Sequence, residues 1–265
     1  MNKKIGFIGT GNMSTTIIRG LVGNFEGINK SIYVSNRSRE KAEKLCNELD
    51  INLSEDNIDL VKTCDVVFLG IKPFIYDKVL SEISSHITED KLIVSLAAGV
   101  SMEDVGGYFN NPTKIIRIMP NVAVNVGEGM IALSFNDNVS IDETDFIVNL
   151  LSTIALVDRI EENLMDAVTT ISGCGPAFIA MFVEALADGS VLYGMPRDKA
   201  YIYAAQTLIG TGKMMLEKKI HPGQIKDMVS SPKGVTIEGV YALEKRGFRN
   251  ILMETIEACN KKMQK

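Results

Sequence analysis

Lys3-Lys-Ile-Gly-Phe-Ile-Gly-Thr-Gly-Asn-Met-Ser-Thr-Thr-Ile-Ile-Arg-Gly-Leu21 is the stretch on which the fold turns. Residues 3–8 are a short apolar run, Gly9-Thr10-Gly11 interrupts it, and Ile17, Ile18 and Leu21 then recur at helical spacing. Strand, glycine turn and helix follow in that order. Gly9-x-Gly11-x-x-Ser14 is a variant of the dinucleotide fingerprint. Its first glycine permits the tight turn and its second lets backbone approach a pyrophosphate. The third position takes a small residue so that the helix packs close, and Ser14 is small enough.

Outward from this unit, residues 31–35 read as a second strand, followed by a polar helix over Arg39–Leu49. Asp65-Val-Val-Phe-Leu-Gly-Ile71 is a buried strand ended by Lys72-Pro73, residues 91–97 are another, and 113–118 and 130–134 add two more. Strand and helix in alternation predict a Rossmann-type, doubly wound parallel sheet with helices on both faces. After about Val157 only helical periods remain, at residues 162–171, 176–193, 197–218, 222–229, 236–245 and 248–262. Gly194 before Met195-Pro196 and Gly247 after Arg246 are recognisable stops. The expected division is a nucleotide-binding α/β domain over residues 1–158 and an all-helical domain over 159–265. In the helix at 176–193, Phe178, Met181, Phe182 and Ala185 fill one face while Ile179, Val183 and Leu186 fill much of the rest. A chain of this size struggles to cover such a helix, which predicts partner helices from a second subunit.

With 46% hydrophobic and 23% charged residues, the 265-residue chain has the composition of an ordinary soluble globular protein. Its net charge of -5 argues against nucleic acid as a partner, because phosphate binding needs a basic excess. Lys261, Lys262 and Lys265 read as a solvated helix terminus. Cys46, Cys64, Cys174 and Cys259 form no C-x-x-C pair, so neither a disulfide framework nor a zinc clip is expected, and a reducing cytoplasm is the natural compartment. His86 and His221 are too few for a His-rich metal centre and argue against a histidine-based triad. The uncharged residues 167–183 are broken by Thr169, Thr170, Ser172, Gly173, Gly175 and Pro176, which reads as a loop leading into a buried helix rather than a membrane span. The first apolar run begins within four residues, with no signal-peptide core ahead of it.

An NAD site of this type places Asp or Glu at the end of the second strand to bond the ribose hydroxyls. Here that position reads Ser35-Asn36-Arg37-Ser38-Arg39, neutral and then basic. A carboxylate repels a 2'-phosphate, whereas Arg37, Ser35 and Asn36 can pair with it. NADPH is therefore the expected cofactor, with NADH weaker. The competing reading makes Arg37 and Arg39 a solvated loop.

Gly6-Phe-Ile-Gly-Thr-Gly-Asn-Met13, Gly70-Ile-Lys-Pro73, Ala97-Ala-Gly99, Met119-Pro-Asn121, Ser172-Gly-Cys-Gly-Pro-Ala177 and Ser230-Ser-Pro-Lys-Gly-Val-Thr-Ile237 stand in an order and spacing that resemble the pyrroline-5-carboxylate reductase family across nearly the whole chain. The resemblance implies a Rossmann domain followed by a helical dimerisation domain, with dimers sometimes joined into larger rings. It implies cofactor contacts at Gly9, Thr10, Gly11, Asn12, Met13, Ser35, Asn36, Arg37, Asn57, Gly70, Ile71, Lys72, Pro73, Ala97 and Ala98. Substrate contacts are implied at Glu162, Ser231, Gly234, Val235 and Thr236. Three residues depart from the family pattern: Cys174 where Ser is usual, Lys233 where a Gly is usual, and Met228 where some members have Asn.

The implied reaction is hydride transfer from NADPH to the C=N carbon of a cyclic imine, giving L-proline. The cofactor carries the chemistry, so the protein chiefly binds, orients and excludes water, which suits a chain without a catalytic histidine. Thr236 is the candidate to hydrogen-bond the ring nitrogen, because a hydroxyl both donates and accepts; the alternative is a helix cap or first-turn residue. Free N–H groups at a helix start near Val235, with the Ser231 hydroxyl, offer a site for the substrate carboxylate, and Gly234 leaves the approach open. Lys233 either attracts that carboxylate or lies in solvent. Glu162 either holds the amine end of the substrate or favours a helix N-terminus. Cys174 reads as a small buried residue, and Lys72 as part of a cofactor loop shaped by Pro73. Two other functions stay open: a related dehydrogenase of a hydroxy acid, disfavoured because Arg197 and Lys199 are the only basic residues over 161–199, and a non-catalytic NADP(H)-binding paralogue.

Overall fold

A computed structural model describes residues 3–263, so Lys265 of the basic end lies outside the described residues. The chain forms two compact units, meeting at Cys174 and Gly175. In the first, eight strands form one sheet: β1 Ile5–Ile8, β2 Ile32–Ser35, β3 Asn52–Leu53, β4 Val66–Leu69, β5 Leu92–Ser95, β6 Lys114–Pro120, β7 Gly129–Phe135 and β8 Ala155–Arg159. Their spatial order is β3-β2-β1-β4-β5-β6-β7-β8, so the winding reverses between β1 and β4. Helices α1 Asn12–Asn24, α2 Arg39–Leu49, α3 Asn57–Thr63, α4 Tyr76–Ile83, α5 Met102–Gly106, α6 Ile141–Leu151 and α7 Met165–Val168 complete this unit.

Strand alternation explains the two layers of helices. Ile5 and Phe7 of β1, Val66 and Phe68 of β4, Leu92 and Val94 of β5, and Ile116 and Ile118 of β6 point into one core. There Ile17, Ile18 and Leu21 of α1 and Ile147, Leu150 and Leu151 of α6 cover them. The residues between them, Ile8, Val67, Leu69, Ile93 and Ile115, pack in a second core against Leu60 and Val61 of α3 and Val79, Leu80 and Ile83 of α4. At the centre the Phe7 and Phe68 rings stack with centroids 4.6 Å apart.

Four features differ from the sequence reading. The sheet is not wholly parallel: β7 runs antiparallel to β6. Asn121 to Glu128 is too short a connection for a parallel crossover, so the chain turns back instead. Two strands went unread, β3 because it has two residues and β8 because it is a half-exposed edge strand ending in Asp158 and Arg159. The helix expected over 162–171 is a composite: a 3-10 turn at Glu162–Leu164, α7, then a π-helical turn over Thr169–Gly173. Thr169 Oγ1 donates to the Met165 carbonyl and Thr170 Oγ1 to that of Ala167, drawing acceptors out of the regular ladder. The expected boundary at 158/159 falls at the end of β8, but residues up to Cys174 stay with the first unit, where Met165 packs on Met119 and Ala132.

The second unit contains α8 Gly175–Leu192, α9 Arg197–Lys218, α10 Pro222–Met228, α11 Val235–Lys245 and α12 Phe248–Met263, each within one or two residues of its predicted limits. His221 caps α10, its Nδ1 accepting from the Gly223 amide at 3.1 Å. Among its described residues only Ala187, Ala200 and Ile225 are buried apolar side chains. Ile179, Met181, Phe182 and Leu186 of α8 stand exposed. The stretch Glu162–Leu192 is long and apolar enough, by length and composition alone, to cross a membrane. It also carries Glu162, Asp166, Glu184 and Asp188.

Candidate active site

The winding reverses between β1 and β4, and the carboxyl ends of the strands beside such a reversal are the usual ligand position in an open α/β sheet. Gly9 leaves β1 with φ 92°, and its amide donates to the Ser35 carbonyl at 2.7 Å. A Cβ on Gly9 would stand 2.8 Å from the Gly70 carbonyl oxygen, so the left-handed conformation and the close approach both require glycine. Gly11 caps α1 with no side-chain hydrogen bond, leaving the amides of Asn12, Met13 and Ser14 without helical partners. Thr10 Oγ1 and Ser14 Oγ are buried beside this turn with no hydrogen-bond partner among the described residues. Bare amides at a helix start and orphaned hydroxyls fit a pyrophosphate.

Other expected cofactor residues converge on the same edge. Asn36 Oδ1 accepts from the Thr10 amide at 3.3 Å and ties the end of β2 to the glycine turn. Ser35 is buried, and its hydroxyl donates to Asn57 Oδ1 at 2.8 Å; Asn57 Nδ2 in turn donates to Glu82 at 3.1 Å. Arg37 is exposed with no carboxylate partner among the described residues, whereas Arg39 pairs with Glu43. Gly70 follows β4 and donates its amide to the Ile8 carbonyl. Ile71 is partly buried, Lys72 and Pro73 are exposed, and Pro73 starts a 3-10 turn. After β5, Ala97 is buried and Ala98 exposed.

Arg117 was missed by the sequence reading. It sits on β6 with its side chain 6% exposed, donating from Nη1 to Glu162 Oε1 at 3.0 Å and lying 3.9 Å from Asp166 through Nη2. One basic residue within the apolar run Ile115-Ile-Arg-Ile-Met119 was the available signal. Glu162 Oε1 also accepts from the Met102 amide at 2.7 Å, so this carboxylate holds the start of α5 rather than that of its own helix. Tyr76 donates to the Leu69 carbonyl and shares a 3.1 Å hydrogen bond with Ser95. Burial pushes its phenol pKa up, partly countered by Ser95 and Arg117.

The expected substrate turn belongs to the second unit. Gly234 is the N-cap of α11, again without a side-chain cap, and its amide donates to the Ser231 carbonyl at 3.0 Å. A Cβ on Gly234 would lie 2.4 Å from Ser231 Oγ. Thr236 is therefore not a cap; it is an exposed first-turn residue beside the exposed Val235. Lys233 has φ 58°, a left-handed conformation that disfavours a side chain and favours glycine.

Residues 162–265 match the family described as pyrroline-5-carboxylate reductase dimerisation, and residues 4–99 that described as NADP oxidoreductase, coenzyme F420-dependent. A pyrroline-5-carboxylate reductase of Escherichia coli K12 is 41% identical over 265 residues, covering all of this chain and 98% of its own. One from Methanosarcina acetivorans is 38% identical over 96% of this chain and 94% of its own. The crystal structure of Plasmodium falciparum pyrroline carboxylate reductase with NADP bound superposes with a TM-score of 0.89 at 29% identity, covering 99% of this chain and 97% of that one. Fold and site together define a Rossmann-type oxidoreductase followed by a helical unit of the dimerisation type. The chain belongs to the pyrroline-5-carboxylate reductase family.

Proposed function

We propose that this chain reduces L-1-pyrroline-5-carboxylate to L-proline with NADPH, using NADH more weakly. The observation that carries the reading is full-length likeness, 41% identity over 265 residues, to a reductase named for this imine. NADPH supplies the hydride. Gly9, Thr10, Gly11, Asn12 and Met13 hold its pyrophosphate at the start of α1, and Arg37 pairs with the 2'-phosphate beside Ser35, Asn36 and Asn57. Gly70, Ile71, Lys72, Pro73, Ala97 and Ala98 line the ring end.

The start of α11 binds the other reactant. The uncapped amides after Gly234, with the Ser231 hydroxyl, take the substrate carboxylate while Val235 shields it. Thr236 hydrogen-bonds the ring nitrogen, which begins as an N–H donor and gains a lone pair as the C=N bond is reduced. Its hydroxyl accepts in the first state and donates in the second. Glu162, expected against the amine end of the substrate, spends one carboxylate oxygen on Arg117 and Met102.

The same reading makes the chain a homodimer, open to further association into rings, working in a reducing cytoplasm with neither nucleic acid nor membrane as partner. The exposed apolar faces of α8 support a dimer, and the wide spacing of the four cysteines along the sequence supports the compartment. The test is NADPH consumption, followed by absorbance, with pyrroline-5-carboxylate against a panel of 2-hydroxy and 3-hydroxy acids run with NADP. Turnover of the imine alone is expected; turnover of a hydroxy acid alone, or of nothing, overturns the proposal.

A further inference from the structure

Arg117 is costly where it stands. Its guanidinium is almost wholly enclosed, Nε has no partner among the described residues, and its ion pair with Glu162 is largely withdrawn from water. Such a pair contributes little net stability compared with apolar side chains of the same volume, but it fixes geometry closely. What it fixes is visible in the bonds around it. Glu162 Oε1 binds the Met102 amide, the first residue of α5, directly after the turn Ala97-Ala-Gly-Val-Ser101. Across the β5–β6 ladder Arg117 is the register partner of Ser95, which leads into that turn. Ser95 bonds Tyr76, and Tyr76 bonds the Leu69 carbonyl, the last of β4 before Gly70. A polar row therefore runs beneath both loops proposed to line the nicotinamide.

We infer that Arg117 and Glu162 are a positioning pair for hydride transfer, holding the turn after β5 against the carboxyl edge of the sheet so that both ring-lining loops keep their spacing. Arg117 acts through Glu162, and Glu162 meets the turn through the Met102 amide. Hydride transfer is sensitive to displacements of about 1 Å, so releasing the turn lowers turnover while leaving the phosphate end of the cofactor site intact. The inference rests on the proposed cofactor site and reductase activity for its kinetic readout, and on the hydrogen bonds alone for its exchange readout.

The experiment compares R117K, R117M and E162A with the unaltered chain. It measures kcat with the imine, NADPH affinity by fluorescence, and hydrogen exchange at the Met102 amide, with circular dichroism confirming the fold. R117M and E162A are expected to lose roughly tenfold or more in kcat with NADPH affinity within about threefold, while R117K, which keeps the charge, retains most of the rate. The Met102 amide is expected to exchange roughly tenfold faster in E162A. A folded R117M or E162A with kcat within about twofold of the original overturns the inference. If R117M does not fold, E162A decides through kcat and Met102 exchange together, and a lowered kcat with unchanged exchange overturns the inference. If the unaltered chain does not reduce the imine, the function proposed above fails, and Met102 exchange still reads the pair: unchanged exchange in E162A sinks it independently.

Discussion

The Ser14 hydroxyl oxygen lies 1.7 Å from where a Cβ on Gly70 would stand, so the third position of the fingerprint and the glycine after β4 share one space. This contact joins the first turn of α1 to the loop beside the ring end of the proposed cofactor site. Gly70→Ala forces them apart and is expected to destabilise by about 1–3 kcal/mol, the usual cost of overpacking. Ser14→Ala alone is expected to be neutral or slightly stabilising, because the hydroxyl it removes is buried without a partner. The double variant should recover most of the loss. Urea unfolding of the three variants checks this, and no recovery in the double variant means the clash lies elsewhere.

Arg37 stands exposed and without a carboxylate at the end of β2. Loss of one charge-assisted bond to a 2'-phosphate is worth about 1.5–3 kcal/mol, so Arg37→Ala should raise the KM for NADPH roughly tenfold or more. The KM for NADH should barely move. Equal effects on the two cofactors would return Arg37 to the solvated loop.

Thr236 is exposed in the first turn of a helix that Gly234 caps, so its hydroxyl contributes little to the fold. Thr236→Ala should lower kcat by about 1–3 kcal/mol, roughly five- to 150-fold, with stability changed by no more than about 0.5 kcal/mol. Thr236→Ser, which keeps the hydroxyl, should retain much of the rate. Steady-state kinetics beside thermal unfolding separate the two quantities, and an unchanged rate in the alanine variant removes Thr236 from the reaction.

Cys64 is fully buried at the end of α3, and desolvation pushes its thiol up to about 12 from 9.0. Between these values the unfolded chain releases a proton that the folded chain keeps, so stability is intact below pH 9 and falls as pH rises. This group alone contributes a slope of about 1.4 kcal/mol per pH unit in that window. Denaturant titrations between pH 8 and pH 11 should show a shallower fall for Cys64→Ala than for the unaltered chain. Parallel slopes would mean that the thiol ionises equally in both states.

Local pattern carried much of this molecule. The glycine turn after Ile8, the strand leading to Ser35 and the helices Arg39–Leu49 and Arg197–Lys218 were legible because chain dihedrals and the 2- and 3.6-residue periods are properties of neighbouring residues. So were the six ordered motifs, and with them the family. The return of β7 antiparallel to β6 was implicit in the short connection after Pro120, yet only the folded sheet displays it. Glu162 meeting both Arg117 and the Met102 amide, Ser14 meeting Gly70, and Asn57 standing between Ser35 and Glu82 were decided by tertiary structure. Each joins residues far apart in the chain, and strand order and register, not local preference, determine which distant side chains share a small volume.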